Sequence, residues 1–305
     1  MKSRFSTNTV LFALVACLLW STAFVGVKYG LLFAKPFSFA GMRFMLAGLI
    51  LIPFCRNIGN CFKSIAENWK LVLAVSFFQT ILLYAFFFLG MTMISGALGA
   101  IVTGSSPLLS ALTAHILIAD DEMTAKKSVS ILTGIAGVVL ISVSRQPWTA
   151  GGLTEFFGVI LLILGATASA IGNVVVATEK KNVHPLVLNA SQMFLGGLSL
   201  FIISLIFEGT PRFNYSLSFY AALLWLATIS AVAFTIWFWL IKRPGVKVSE
   251  LNLWKFTIPV CGALLSWALL PDESPELLSV IGMVFVASAI IVYNIGAKNN
   301  FAKIL

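Results

Sequence analysis

The fold is decided by a stretch that occurs twice in the chain, PFSFAGMRFMLAGL at residues 36–49 and PLVLNASQMFLGGL at residues 185–198. The two copies begin with proline and align without a gap. Their register places Arg43 of the first copy opposite Gln192 of the second. Because the copies lie about 150 residues apart in a chain of 305, they indicate that the chain is a duplicated structural unit.

Further along each copy, a proline is followed thirteen residues later by an aspartate. The pairs are Pro107 with Asp120 and Pro259 with Asp272. Each pair brackets an apolar segment rich in small residues, and almost every residue between the polar joints is apolar enough for a lipid bilayer. The chain is therefore predicted to be a duplicated membrane protein.

The composition excludes a soluble globule, because hydrophobic residues make up 59% of the chain and charged residues only 10%. Soluble domains carry roughly 25% charged residues. The net charge of +9 does not indicate nucleic-acid binding, since the basic residues sit at the ends of apolar runs and form no exposed patch. The four cysteines have no regular spacing and are interpreted as packing residues, and neither a metal nor a cofactor is expected.

Ten apolar segments appear in a window of about 20 residues and are predicted to cross the bilayer as helices. The joints between them are short and hold turn-forming or charged residues, and no soluble domain fits between them. The predicted segments are Thr9–Gly30, Phe37–Cys55, Trp69–Leu89, Ser95–Ala119, Ser128–Ser144, Glu155–Ala177, Leu186–Phe207, Ser218–Ile241, Val248–Leu270 and Glu276–Ile295.

Lysine and arginine residues predict the orientation, since cytoplasmic loops retain positive charge. If the N-terminus is inside, fourteen of the 20 basic residues lie on the inner side and four on the outer side. Because five spans per repeat is an odd number, the second copy enters the membrane upside down. The predicted fold is an all-α polytopic membrane protein of ten transmembrane helices with both termini cytoplasmic. It comprises two inverted five-helix repeats, residues 1–145 and 150–298, and a cytoplasmic tail at residues 299–305.

Three motifs carry a family resemblance. Residues 18–28 (LLWSTAFVGVK), followed by Pro36 and Arg43, resemble the first two helices of the EamA family in the drug/metabolite transporter superfamily. Residues 99–107 (GAIVTGSSP) and 255–262 (KFTIPVCG) resemble later helices of the same repeats. The ordered set covers essentially the whole chain. The resemblance implies a ten-helix carrier, with both termini inside, that moves small metabolites such as amino acids.

No carboxylate is predicted at mid-membrane, because every Asp and Glu falls in a loop or within about two turns of a helix end. Proton-driven carriers commonly use a buried carboxylate as a relay, and cation exporters use one to attract their substrate. Facilitated diffusion or exchange is therefore favoured over proton antiport.

Two cations are embedded instead, Arg43 and Lys255, each about 10 Å into its helix. Such a cation costs several kcal/mol unless it faces partners or a wet cavity. Lys255 precedes Pro259 by one turn, and a proline there frees a backbone carbonyl and can kink the helix. Lys255 is predicted to face a central cavity and attract a substrate carboxylate, with snorkelling as the alternative. Arg43 is interpreted as a structural residue that snorkels or ties helices together.

Deep aromatic rings are predicted to form the walls of an amphipathic pocket, with helix packing as the alternative explanation for each ring. Trp20 is also favoured by the family resemblance, with Asn173 at the corresponding depth of the sixth helix as its predicted polar partner. The candidate substrate-binding residues are Trp20, Phe24, Tyr84, Asn173, Trp237 and Lys255. The candidate gating or structural residues are Lys28, Arg43, Pro107 and Pro259, of which Lys28 is interpreted as an interfacial anchor or gate.

The sequence lacks the motifs of membrane proteases and an ATP-binding loop, so neither an enzyme nor an ATP-driven pump is expected. The favoured function is secondary transport of small organic metabolites, amino acids or related carboxylates, by alternating access across the plasma membrane, or the inner membrane in bacteria. A channel and a non-transporting membrane protein are the alternatives. The expected partners are membrane lipid and a small-molecule substrate. A homodimer is possible, and no nucleic acid is expected.

Overall fold

A computed structural model describes residues 7–55, 57–94, 102–104, 106–143, 152–179, 183–211, 213–269 and 277–295. Over these residues the chain is helical and contains no strand, which confirms the all-α prediction. Each predicted segment falls on one or more of the helices. The α-helices are α1 (Thr7–Gly30), α2 (Pro36–Leu51), α3 (Ile58–Glu67), α4 (Trp69–Met91), α5 (Ser106–Leu117), α6 (Ala125–Val143), α7 (Gly152–Thr178), α8 (Pro185–Phe207), α9 (Leu217–Ile241), α10 (Val248–Asn252), α11 (Thr257–Leu269) and α12 (Leu277–Ile295).

Five helices in the described part of the chain are long and apolar enough to cross a membrane. They are α4, α7, α8, α9 and the helix Pro36–Phe54, which comprises α2 and a short 3₁₀ turn. Shorter apolar helical stretches lie at Asn8–Ala23 and Leu277–Ile291. Apolar helices of about 20 residues match the hydrocarbon thickness of a bilayer.

The helices pack in a pattern that is exchanged between the two halves of the chain. α2 packs along α8 and α6 packs along α12, so each of these contacts joins helices at equivalent positions of the two copies. α1 of the first half packs on α9 of the second half. Reciprocally, α4, which is the counterpart of α9, packs on α7, which is the counterpart of α1. Two halves related by a pseudo-twofold axis are expected to exchange partners in this way.

Glycine allows α2 and α8 to approach closely at their crossing. A Cβ atom on Gly48 would lie 2.7 Å from the carbonyl oxygen of Ala190, and one on Gly197 would lie 2.5 Å from the backbone nitrogen of Met45. Gly48 and Gly197 occupy the same register position of the repeated stretch. The repeated motif is therefore itself one of the contacts between the halves.

The segment between α2 and α4 holds α3, a helix that the hydropathy window did not find. The side chain of Asn57 caps it by accepting a hydrogen bond from the N–H of Asn60. Ile58 and Phe62 lie one turn apart and are both exposed. Exposed apolar residues on one face of a short polar helix are typical of a helix lying in the membrane–water interface.

Two helical segments depart from α geometry where polar or charged residues enter the membrane. α4 is π-helical over Phe77–Leu82, which contains Gln79 and Thr80. The ninth predicted segment is divided by a 3₁₀ turn, Leu253–Phe256, between α10 and α11. Pro259 accounts for this break, because it has no N–H to donate to the carbonyl of Lys255 one turn earlier.

Candidate functional site

Lys255 lies in the 3₁₀ turn between α10 and α11, where two indole rings face its ammonium group. Its Nζ lies 4.9 Å from the ring centroid of Trp237 and 5.6 Å from that of Trp20. The two rings meet edge to face with their centroids 5.1 Å apart. The structure thus brings three of the candidate substrate-binding residues into one cluster, in which the ring faces stabilise the cation.

The Lys255 ammonium has no ion-pair partner within the described residues. Its side chain is half-buried. A cation inside a membrane is costly unless it meets an anion or water. The cluster therefore presents a positive charge that an anionic group from outside the chain can neutralise.

Trp237 adds a second hydrogen-bond donor beside this ammonium. The side chain is 1% exposed, and its Nε1–H has no acceptor in the part of the chain that the structure describes. Leaving a buried donor unpaired costs about 1–3 kcal/mol, so such a group calls for a water or a ligand. An ammonium and an indole N–H can only donate, so each suits an oxygen acceptor such as a carboxylate oxygen.

Two side chains of α1 hold the broken segment in place. Ser21 Oγ donates to the carbonyl of Ile258 at 3.1 Å, and the thiol of Cys17 donates to the carbonyl of Trp254 at 3.4 Å. Cys17 and Ser21 lie one turn apart on the same face of α1, so both reach carbonyls of the segment interrupted by the 3₁₀ turn. Trp20 projects from the same helix toward Lys255.

Asn173 belongs to a second buried cluster, at the contact of α4 with α7. Its Oδ1 accepts a hydrogen bond of 2.7 Å from Gln79 Nε2, and Gln79 Oε1 accepts one of 3.2 Å from Ser169 Oγ. Asn173 is 1% exposed, and its Nδ2 has no partner among the described residues. It contributes a further unpaired donor, but its recorded bond is to Gln79 and not to Trp20.

A chain of polar side chains continues from this cluster through α8 to α9. Thr80 Oγ1 donates to Gln192 Oε1 at 2.6 Å, and Gln192 Nε2 donates to Asn189 Oδ1 at 3.0 Å. Asn189 Nδ2 in turn donates to Thr235 Oγ1 at 2.8 Å. Sequence reasoning missed this network, although the adjacent polar pair Gln79 and Thr80 inside the apolar run of α4 was a visible signal.

Arg43 joins the two halves in the same way as its repeat counterpart Gln192. Arg43 is 4% exposed, and its Nε donates to Ser230 Oγ on α9 at 3.0 Å. Gln192 is fully buried and accepts from Thr80 on α4, the equivalent helix of the first half. The Arg43 guanidinium also lies 5.0 Å from the ring centroid of Phe44. This geometry favours the helix-tying role for Arg43 over snorkelling.

Tyr84 makes its described ring contacts with Phe44, Phe87 and Phe88, away from Lys255. Tyr84 packs on Phe44, with ring centroids 4.3 Å apart, and the Arg43 guanidinium packs on the same Phe44 ring. Pro107 is buried in α5. The side chains of Phe24 and Lys28 lie outside the described residues.

Replacing Ser230 by alanine is expected to lower the free energy of unfolding by about 2 kcal/mol, because a buried guanidinium loses its acceptor. Denaturation of the purified protein in detergent measures this change. Thr228→Ala is the matched control, since among the described residues the Thr228 hydroxyl donates to the carbonyl of Leu224 in its own helix and to no other helix. Equal stability of the two variants would contradict the helix-tying role of Arg43.

The profile of the EamA-like transporter family matches the chain twice, over residues 7–143 and 156–295. A WAT1-related chloroplast protein of Arabidopsis thaliana is 27% identical over 92% of this chain and 68% of its own length. Uncharacterized transporters of Synechocystis and Bacillus subtilis, the latter YvbV, are 24% and 23% identical, over 96% and 98% of this chain and 92% and 95% of their own lengths. One solved crystal structure has the same fold, with a TM-score of 0.82 at 18% identity over 97% of this chain and 99% of that one.

The two matched segments coincide with the two copies that the repeated motifs revealed, and together they span most of the chain. The apolar helices show that the protein is embedded in a membrane. The relatives from Synechocystis and Bacillus subtilis, which match nearly the whole of this chain, are named as transporters. The chain therefore belongs to the EamA-like transporter family, and it is an integral membrane transporter.

Proposed function

We propose that this transporter carries small organic carboxylates, amino acids among them, across the plasma membrane, or the inner membrane if the cell is bacterial. The observation that carries the proposal is the Lys255 ammonium, held against Trp20 and Trp237 without an ion-pair partner among the described residues. The ammonium and the unpaired N–H of Trp237 suit a carboxylate, and the indole faces suit the apolar part of a solute.

The proposed architecture has ten transmembrane helices in two inverted repeats, residues 1–145 and 150–298, with both termini in the cytoplasm. The exchange of helix partners between the halves and the excess of basic residues on one side support it. In such a fold the halves rock around a central site that opens to one side at a time. The break in the ninth segment places Lys255 between the halves, next to α1 and α9.

Facilitated diffusion or exchange is proposed in preference to proton antiport. The carboxylates that the structure describes lie in loops or within one turn of a helix end, as Glu155 does at the start of α7 and Glu250 at the start of α10. A carboxylate proton relay would have to lie along the pathway. The described part of the pathway offers an embedded cation in place of such a carboxylate.

Counterflow tests this function. The purified protein is reconstituted in liposomes loaded with unlabelled solute, and uptake of radiolabelled amino acids and organic acids is measured with and without a pH gradient. We expect saturable uptake of a carboxylate solute that increases with unlabelled solute on the opposite side. Matched amides and esters of the same solutes serve as controls and should not compete.

Each alternative gives a different result. Flux that neither saturates nor responds to solute on the opposite side would indicate a channel. Uptake that requires the pH gradient would overturn the preference for exchange. The absence of counterflow for every carboxylate tested, with amides transported instead, would overturn the assignment of the substrate class.

A further inference from the structure

A buried carboxylate, Asp121, clamps the start of α10 to the end of α5. Asp121 is 2% exposed, its Oδ2 accepts the backbone N–H of Ser249 at 3.0 Å, and its Oδ1 accepts the Ser249 hydroxyl. Lys127 Nζ forms an ion pair with the same carboxylate at 2.6 Å. Lys247, the N-cap residue of α10, donates from Nζ to the carbonyl of Asp120 at 2.5 Å. We call this set the α10 clamp.

A second carboxylate, Glu208, clamps the start of α2 to the end of α8 in the same manner. Its Oε1 accepts the N–H of Phe37 at 2.8 Å, and its Oε2 accepts the N–H of Ser38 at 2.9 Å. Lys35, the N-cap residue of α2, donates from Nζ to the carbonyl of Glu208 at 2.6 Å. We call this set the α2 clamp.

The two clamps share one chemistry and exchange the roles of the halves. In each, an acidic turn of one half accepts hydrogen bonds from one or two first-turn N–H groups of a helix in the other half, and the N-cap lysine of that helix donates to a carbonyl of the turn. Asp121 of the first half holds α10 of the second, whereas Glu208 of the second half holds α2 of the first. Charge-assisted bonds to a helix start are stronger than neutral ones.

The clamps lie at opposite ends of the helix bundle. α9 begins shortly after Glu208, runs for 25 residues and ends just before Lys247. A helix of that length spans about 37 Å, which is the thickness of a bilayer with part of its headgroup region. One clamp therefore joins the halves near each surface of the membrane, and the Lys255 cluster lies between them.

We propose that the two clamps are the gates of the transport cycle, and that each opens only while the other stays closed. The inference rests on the proposed alternating-access function. When the halves rock, the ends that separate must release a clamp, and the opposite ends are pressed together. Asp121 and Glu208 are thus positioning residues that set which side of the membrane reaches the site, without contacting the solute.

Hydrogen–deuterium exchange of the full-length protein in lipid nanodiscs, without solute, tests the gates. In Asp121→Asn we expect exchange of the amides at residues 248–252 to become about tenfold faster, because a charge-assisted bond is lost. Exchange at residues 37–38 should become slower, because the opposite gate is now closed for more of the time. Glu208→Gln should give the reverse pattern. Glu67→Gln, at an exposed carboxylate paired with Lys63, is the matched control.

The slower exchange at the distant gate is the deciding observation, because a purely local role predicts faster exchange at one end only. Unchanged exchange at the distant gate in both variants would overturn the proposal. If Asp121→Asn fails to fold, since it leaves Lys127 without its anion, Ser249→Ala removes one bond of the same clamp and keeps the ion pair. Reciprocal changes in hydrogen–deuterium exchange without solute counterflow would refute the transport of carboxylates but not the gates. Solute counterflow without these reciprocal changes in hydrogen–deuterium exchange would refute the gates alone.

Discussion

Lys255→Met is expected to reduce uptake of a carboxylate solute about 100-fold, because the bound carboxylate loses a charge partner away from bulk water. The methylene stem of methionine keeps the packing against Trp20 and Trp237, so the fold should remain intact. Counterflow in liposomes measures the loss of uptake, and thermal unfolding in detergent reports on the fold. Lys255→Arg keeps the charge and should retain part of the uptake.

Lys63→Met provides the matched control for this experiment, since Lys63 lies on α3, is largely exposed and pairs with Glu67 at 3.9 Å. An exposed pair of this kind contributes about 0–1 kcal/mol to stability, so uptake should not change. If Lys255→Met transported every carboxylate at the normal rate, the ammonium would have a packing role only. An equal loss of uptake for any solute that lacks a carboxylate and that the wild-type protein carries would assign Lys255 to the transport cycle and not to substrate recognition.

The cluster around Lys255 could be predicted in part from the sequence, because its members break simple rules for a membrane segment. A lysine two turns inside an apolar run and one turn before Pro259 demands an explanation, and deep tryptophans are unusual outside the interfaces. The pairing of Trp20 with Trp237 could not be read in the same way. It depends on how α1 packs against α9, and that contact joins residues more than 200 positions apart.

The buried amide network escaped prediction for a different reason. Thr80 lies beside Gln79 in α4 and Gln192 beside Ser191 in α8, and the sequence does not say whether these polar residues face lipid, a cavity or a neighbouring helix. Only the helix packing shows that Thr80 and Gln192 supply each other's hydrogen bond at 2.6 Å. The repeat contained the missing clue, since Gln192 is the counterpart of Arg43, and the two side chains bind equivalent helices of opposite halves.

The helix boundaries were largely accessible from composition, because a bilayer demands long apolar runs and short polar joints. The irregular turns were not. The π-helical segment of α4 adjusts the backbone where Gln79 and Thr80 meet partners on α7 and α8. Partners of this kind come from tertiary packing, which no hydropathy window records.

Gly48→Ala is expected to destabilise the protein by about 3 kcal/mol, the largest effect on folding among these predictions. The added methyl group would lie 2.7 Å from the carbonyl oxygen of Ala190 and 2.8 Å from the backbone nitrogen of Phe194. These are main-chain atoms of α8, so no side-chain rotation relieves the clash and the two helices must separate. Thermal unfolding in detergent should shift downward by about 5–10 °C.

Gly262→Ala separates this contact from the general effect of replacing a helical glycine. Gly262 lies inside α11, and outside its own helix backbone no described atom lies within 4 Å of the position its Cβ would take. Alanine there should be neutral or stabilise the helix by about 0.5–1 kcal/mol. Gly197→Ala should reproduce the loss seen at Gly48, because its Cβ would meet the backbone of Met45 at the same crossing. If both crossing variants were as stable as Gly262→Ala, the α2–α8 contact would not be the axis around which the halves pack, and the duplicated stretch would need another explanation.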